Sequence, residues 1–178
     1  MKFIRVAALL FACIFPLLSI SCNKNTVQTP SDTEITGESV NIEGSCEEII
    51  ERVYSSVSEN GAVGEYLSQL ITVPVTEKNE EYFLGISDIP YCDGASSESS
   101  YQPVTYSFTV VRIAPGEDVE ECRSIIRDNA NPSKWVCMTA QECTVVKLGD
   151  LIAVIMGSKE VCTELEAAFL ALSDQGVK

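Results

Sequence analysis

The chain has 178 residues, 26 acidic side chains against 12 basic ones, and no histidine, for a formal charge of −14. So acidic a field repels nucleic acid and anionic lipid surfaces, and the missing imidazole excludes His-based triads, His proton shuttles and His-containing zinc sites. The length suits one domain with a core large enough to fold without obligatory cross-links.

The first stretch is an address. Lys2 and Arg5 precede an apolar run over 6–18 and the small-residue exit Ser19-Ile20-Ser21 before Cys22. The run falls short of the roughly 20 residues that span a bilayer, so residues 1–21 read as an export signal that is removed. The segment before Cys22 resembles a bacterial lipobox, in which the cysteine is lipidated before cleavage. Ser19 and Ser21 also satisfy the small-x-small rule of general signal peptidase, the route to a secreted form. Cysteine arithmetic favours lipidation. Of eight cysteines, Cys13 leaves with the signal and Cys22 takes the lipid, so an even set remains: Cys46, Cys92, Cys122, Cys137, Cys143 and Cys162. Without the signal's two cations the mature chain carries 10 basic and 26 acidic side chains, a charge of −16.

Residues 22–43 are rich in Thr, Ser, Asn and acidic side chains and read as a lipid-anchored flexible tether, about 25 Å in r.m.s. reach. Residues 44–178 read as a single α+β domain. Ser45 and Glu48 have the spacing of a capping box, and Ile49, Ile50, Val53, Tyr54 and Val57 recur at helical period, which predicts a first helix ending near Asn60-Gly61. Residues 65–71 are expected to form a short second helix stopped by Pro74, and 82–86 a short strand. Residues 103–113 alternate, with Val104, Tyr106, Phe108 and Val110 on one face and Thr105, Ser107 and Thr109 on the other, a strand with one solvated side.

Asp118 offers a cap to a helix with Cys122, Ile125 and Ile126 on its inner face, closed by Asn131-Pro132. Residues 144–148 and 151–156 read as a hairpin joined by Gly149-Asp150 in a type II′ turn. Ser158 caps a last helix whose stripe is Val161, Cys162, Leu165, Ala168, Phe169 and Leu172. The expected fold is α+β, a mainly antiparallel four-stranded sheet with helices packed on one face.

Tyr82-Phe-Leu-Gly-Ile86, the strand and helix across 108–127, and Val145-Val-Lys-Leu-Gly-Asp-Leu-Ile-Ala-Val-Ile155 with its closing helix resemble a domain of unknown function found in lipoproteins of Gram-positive bacteria. The resemblance spans roughly residues 45–172, and the six cysteines and the Ser-rich insert at 94–100 depart from the pattern. It implies fold and anchoring and carries no activity.

The remaining cysteines are candidate disulfide partners, because an exported domain meets an oxidising compartment; the alternative is that those on apolar helix faces are buried as small hydrophobes. No Cys-x-x-Cys occurs, which argues against a metal site and against a thioredoxin-like centre. The mature chain has no Ser-x-x-Lys, and Glu47-Glu48, Glu80-Glu81 and Glu120-Glu121 are sequence neighbours that diverge on a helix, so no catalytic residue, cofactor or metal is assigned. The best candidate binding surface is a loop over 88–102 holding Tyr91 and Tyr101. The resulting expectation is an extracytoplasmic lipoprotein, membrane-attached through Cys22, acting as a non-catalytic binding or interaction module for a protein or small-molecule ligand and not for nucleic acid. The competing expectation is a secreted or anchored enzyme with a carboxylate or cysteine site.

Overall fold

The computed structural model describes residues 41–101 and 103–175; the export signal, Cys22 and most of the tether lie outside the described residues. Helix α1 (Cys46–Ser56) starts on the expected capping box, with Ser45 Oγ accepting from Glu48 N and Glu48 Oε2 accepting from Ser45 N at 2.8 Å. It buries Cys46, Ile49, Ile50 and Val53, the inner positions of its apolar stripe.

The next three expectations are corrected. Residues 65–71 do not form an α-helix: a single 3₁₀ turn at Leu67–Gln69 leads straight into strand β1 (Leu70–Pro74), whose Ile71, Thr72 and Val73 prefer extended backbone. Residues 82–86 are not a strand, because helix α2 (Glu80–Leu84) runs through them and ends on Gly85 at φ +81, its N–H bonded to Glu81 O at 2.9 Å. And 88–102 is not one loop, since Tyr91–Ser99 is strand β2. Its serines pair on both sides, with β1 and with β3 (Ser107–Ile113), and that lateral pairing outweighs their weak strand propensity.

The later elements stand as expected. Asp118 Oδ1 caps helix α3 (Val119–Asn129) by accepting from Glu120 N and Glu121 N. Strands β4 (Glu142–Leu148) and β5 (Leu151–Gly157) form the hairpin, with Gly149 at φ +60 as the first position of a type II′ turn demands. Ser158 caps helix α4 (Lys159–Leu170).

The α+β class holds, with an antiparallel sheet of five strands, not four, in the order β1-β2-β3-β5-β4. Helices cover both faces, not one. On the first face α1 and α4 bury Ile49, Ile50, Val53, Leu165 and Phe169 against Phe108, Val110, Ala153 and Ile155. On the second, α2, α3 and the 131–141 segment bury Phe83, Leu84, Cys122, Ile126 and Trp135 against Val111, Ile113, Ile152, Val154 and Met156. Every residue of β5 is buried, which is why it reads as an unbroken apolar run. The polar alternation of β3 therefore does not face water: Ser107 and Thr109 are buried, and Thr109 Oγ1 shares a 2.7 Å hydrogen bond with Ser96 Oγ across the ladder.

One side chain fixes where the chain enters the domain. Arg112 donates to both Asp150 carboxylate oxygens and to the carbonyls of Ile42 (2.8 Å) and Gly44 (2.9 Å), while Asp93 Oδ2 accepts from Cys46 N at 2.7 Å. The end of the tether is thus tied to the hairpin turn and to β2.

Candidate functional site

The connections into and out of α2 enclose a groove of about 860 Å³ lined by Val75, Thr76, Glu77, Lys78, Glu80, Ser87, Asp88, Ile89 and Tyr91. Val75, Glu80 and Ile89 are buried, and Glu77, Lys78, Ser87 and Asp88 stand at the exposed rim. Asn79 shapes the first wall: its Oδ1 accepts from Thr76 N at 2.6 Å and its Nδ2 donates to Pro74 O at 3.1 Å, turning the chain back between β1 and α2. Asp88 adopts φ +67, a conformation Asp tolerates, and its N–H reaches buried Glu80 Oε1 at 3.0 Å. Tyr91 lines the groove with Glu80 and Glu77 near it. Desolvation, followed by the charges of Glu80 and Glu77, pushes the Tyr91 hydroxyl up to about 12, so at neutral pH it is neutral and able to donate. The groove thus presents three carboxylates and one ammonium around an apolar lining.

Of the two tyrosines expected to share a binding loop, Tyr91 lines this groove. Tyr101 lies beyond the far end of β2 and is exposed; a strand of nine residues separates them, so they do not form one surface.

Sequence reasoning missed the other charged cluster. Lys134 comes from the segment after α3, yet its side chain is only 3% exposed. Its Nζ lies 2.6 Å from Glu98 Oε1, which has no other partner, and donates to Ser107 Oγ at 2.9 Å. The rings of Tyr82, Phe83 and Trp135 surround the ammonium at 4.5, 5.0 and 5.1 Å from their centroids. Burial pulls the amine below the usual lysine range, and the Glu98 carboxylate opposes that shift. Glu98 and Ser107 are cross-strand partners on β2 and β3, so the pair clamps the 131–141 segment and α2 onto the sheet. The amine is sealed, and no substrate reaches it unless α2 or that segment lifts. Only the Ser-Lys-Trp sequence could have hinted at this, and it has no periodic or motif signature.

The six described cysteines are free thiols in the structure, with none paired. Cys46, Cys122 and Cys162 are buried on helix faces, Cys143 is partly buried, and Cys92 and Cys137 are exposed. Burial pushes Cys162 up to about 12 and Cys46 further still, away from the thiolate that nucleophilic chemistry needs. Among the described residues no group of three or more acidic or cysteine side chains is arranged to hold a metal ion, and no helix is long and apolar enough to cross a membrane. No protein-family model, curated protein or solved structure matches this chain.

Proposed function

We propose that the chain is an extracytoplasmic lipoprotein, anchored by lipidated Cys22, whose folded domain is a non-catalytic binding module for a small cationic ligand. It would belong with the uncharacterised lipoprotein domains that the sequence resembles. The observation that carries the binding reading is the groove beside α2, where Glu77, Glu80 and Asp88 outnumber Lys78 around buried Val75 and Ile89. A ligand with an amine and a short apolar body matches that lining. The charge of the whole chain raises the local concentration of such cations. The non-catalytic reading rests on the sealing of Lys134 and on the raised, buried thiols of Cys46 and Cys162.

Two measurements test it. Detergent phase partition of the full chain should place wild type with the detergent and Cys22→Ala in unprocessed or aqueous form; aqueous wild type with a free N-terminal thiol refutes the anchor. Thermal shift against a panel of alkyl diamines and matched dicarboxylates should show stabilisation by the amines alone, lost in Glu77→Gln/Asp88→Asn. Equal response to both panels, or amine binding that survives the double substitution, refutes the groove reading.

A further inference from the structure

Most of the large apolar side chains exposed among the described residues gather around one strand. Of the six large ones exposed among the described residues, Ile71 and Val73 are on β1, and Tyr82 and Tyr101 flank it. Tyr82 donates to Glu98, the cross-strand partner of Ile71, and Tyr101 follows Ser100, whose N–H and hydroxyl both bond Gln69 O just before the strand. β1 is also an open edge of the sheet.

The direction of its backbone groups follows from two bonds at its ends. Gln69 O accepts from Ser100 N, and Val75 N donates to Gly94 O, so the odd-numbered residues point their polar groups at β2. Alternation then turns the N–H groups of Leu70 and Thr72, and the carbonyls of Leu70, Thr72 and Pro74, away from the sheet. Such a row is a template for another strand.

We propose that β1 pairs antiparallel with β1 of a second copy of this chain across a two-fold axis at Thr72, joining two five-stranded sheets into one. In that register Thr72 exchanges both backbone bonds with its counterpart, and each Leu70 N–H meets the partner copy's proline carbonyl at position 74. The proline, which has no N–H to give, is asked only for its acceptor. On the α2 side, Ile71 lies opposite Val73 of the other copy in both halves, so the exposed apolar stripe is covered by itself.

Charge leaves this edge open to a second copy. Two molecules each carrying −14 repel over most of their surfaces, but Leu-Ile-Thr-Val-Pro holds no charge at all. The opposite edge is guarded: β4 contains Glu142 and Lys147, Lys147 bridges to Glu120 of α3 at 2.7 Å, and Arg123 reaches the Val145 carbonyl at 3.4 Å. One protected and one bare edge make a closed dimer, not a fibre.

The test is sedimentation equilibrium of the full chain in density-matched detergent. Wild type should show a monomer–dimer equilibrium that tightens with added salt, as screening removes the repulsion. Val73→Asp, at a solvent-exposed position opposite Ser96, should raise the dissociation constant at least tenfold with the melting temperature of the monomer unchanged, while Lys147→Gln on the other edge leaves it as it was. Thr72→Cys should give an interchain disulfide on mild oxidation well above the background from Cys92 and Cys137, because paired Cα atoms at that position lie about 5.5 Å apart. A wild type that is monomeric at every concentration, or a dimer as tight in Val73→Asp as in wild type, overturns the proposal.

Discussion

Replacing Lys134 by methionine removes a buried ammonium while keeping an apolar stem of similar length. The variant leaves Glu98 Oε1 without its partner, Ser107 Oγ without its donor, and three aromatic faces without their cation. Breaking a buried ion pair from one side costs about 3–5 kcal/mol, against the roughly 5–15 kcal/mol that holds a domain of this size together. Glu98 retains 22% exposure, so its carboxylate recovers some hydration and the lower end of that range applies. The expected fall in melting temperature is on the order of 10 °C. Glu98→Leu alone should cost a comparable amount, by stranding the ammonium. The double variant should recover most of the loss, since an apolar pair fills the same space without two desolvated charges. Urea unfolding of the four proteins closes the cycle, with a coupling energy above about 1.5 kcal/mol. Additive single losses, or a Lys134→Met cost below about 1 kcal/mol, would refute the clamp. The pH dependence has a defined sign. Burial lowers the amine from 10.5, so the folded chain sheds this proton before the unfolded chain does, and the Lys134 contribution improves as pH climbs from the depressed value to 10.5.

Other outcomes follow from burial and backbone. Cys162, Tyr54, Tyr82 and Tyr91 are raised to about 12 in the folded chain from 9.0 for the thiol and 10.0 for the phenols. Their stabilising protons are fully in place below pH 9 and lost as pH rises toward 12, so stability should fall between pH 10.5 and 12, above the range in which Lys134 opposes the loss, in circular-dichroism melts; a flat profile there contradicts it. Timed alkylation read by mass should label Cys92 and Cys137 first, Cys143 later, and Cys46 and Cys162 only on unfolding. Equal rates for Cys46 and Cys137 would show that α1 is not docked as described. Gly85→Ala should destabilise by more than 1 kcal/mol in urea titration, because φ is +81 and a Cβ there would stand 2.1 Å from the Asn129 carbonyl oxygen.

The elements legible in the chain were those whose causes are local. Ser45, Asp118 and Ser158 mark three helix starts because a cap acts within three residues, and Gly149 marks the hairpin because the turn demands positive φ at that position. β5 was legible through its length and unbroken apolar character. β2 was not, because nothing in Gly-Ala-Ser-Ser-Glu-Ser favours a strand until neighbours pair on both sides. Gly94 shows the same cause: a Cβ there would press to 3.0 Å on Val75 and Val111, so the small residues that look like a loop are what close packing requires. Tyr91 reads from the sequence only as a candidate in a loop; that it lines a groove with Glu80 follows from the turn at Asp88, whose N–H bonds Glu80 Oε1. Lys134 and Glu98 are 36 positions apart, and their meeting depends on the 131–141 segment folding over the second face of the sheet. Periodicity and capping decide elements one at a time; which polar groups are buried together is decided only when the layers close.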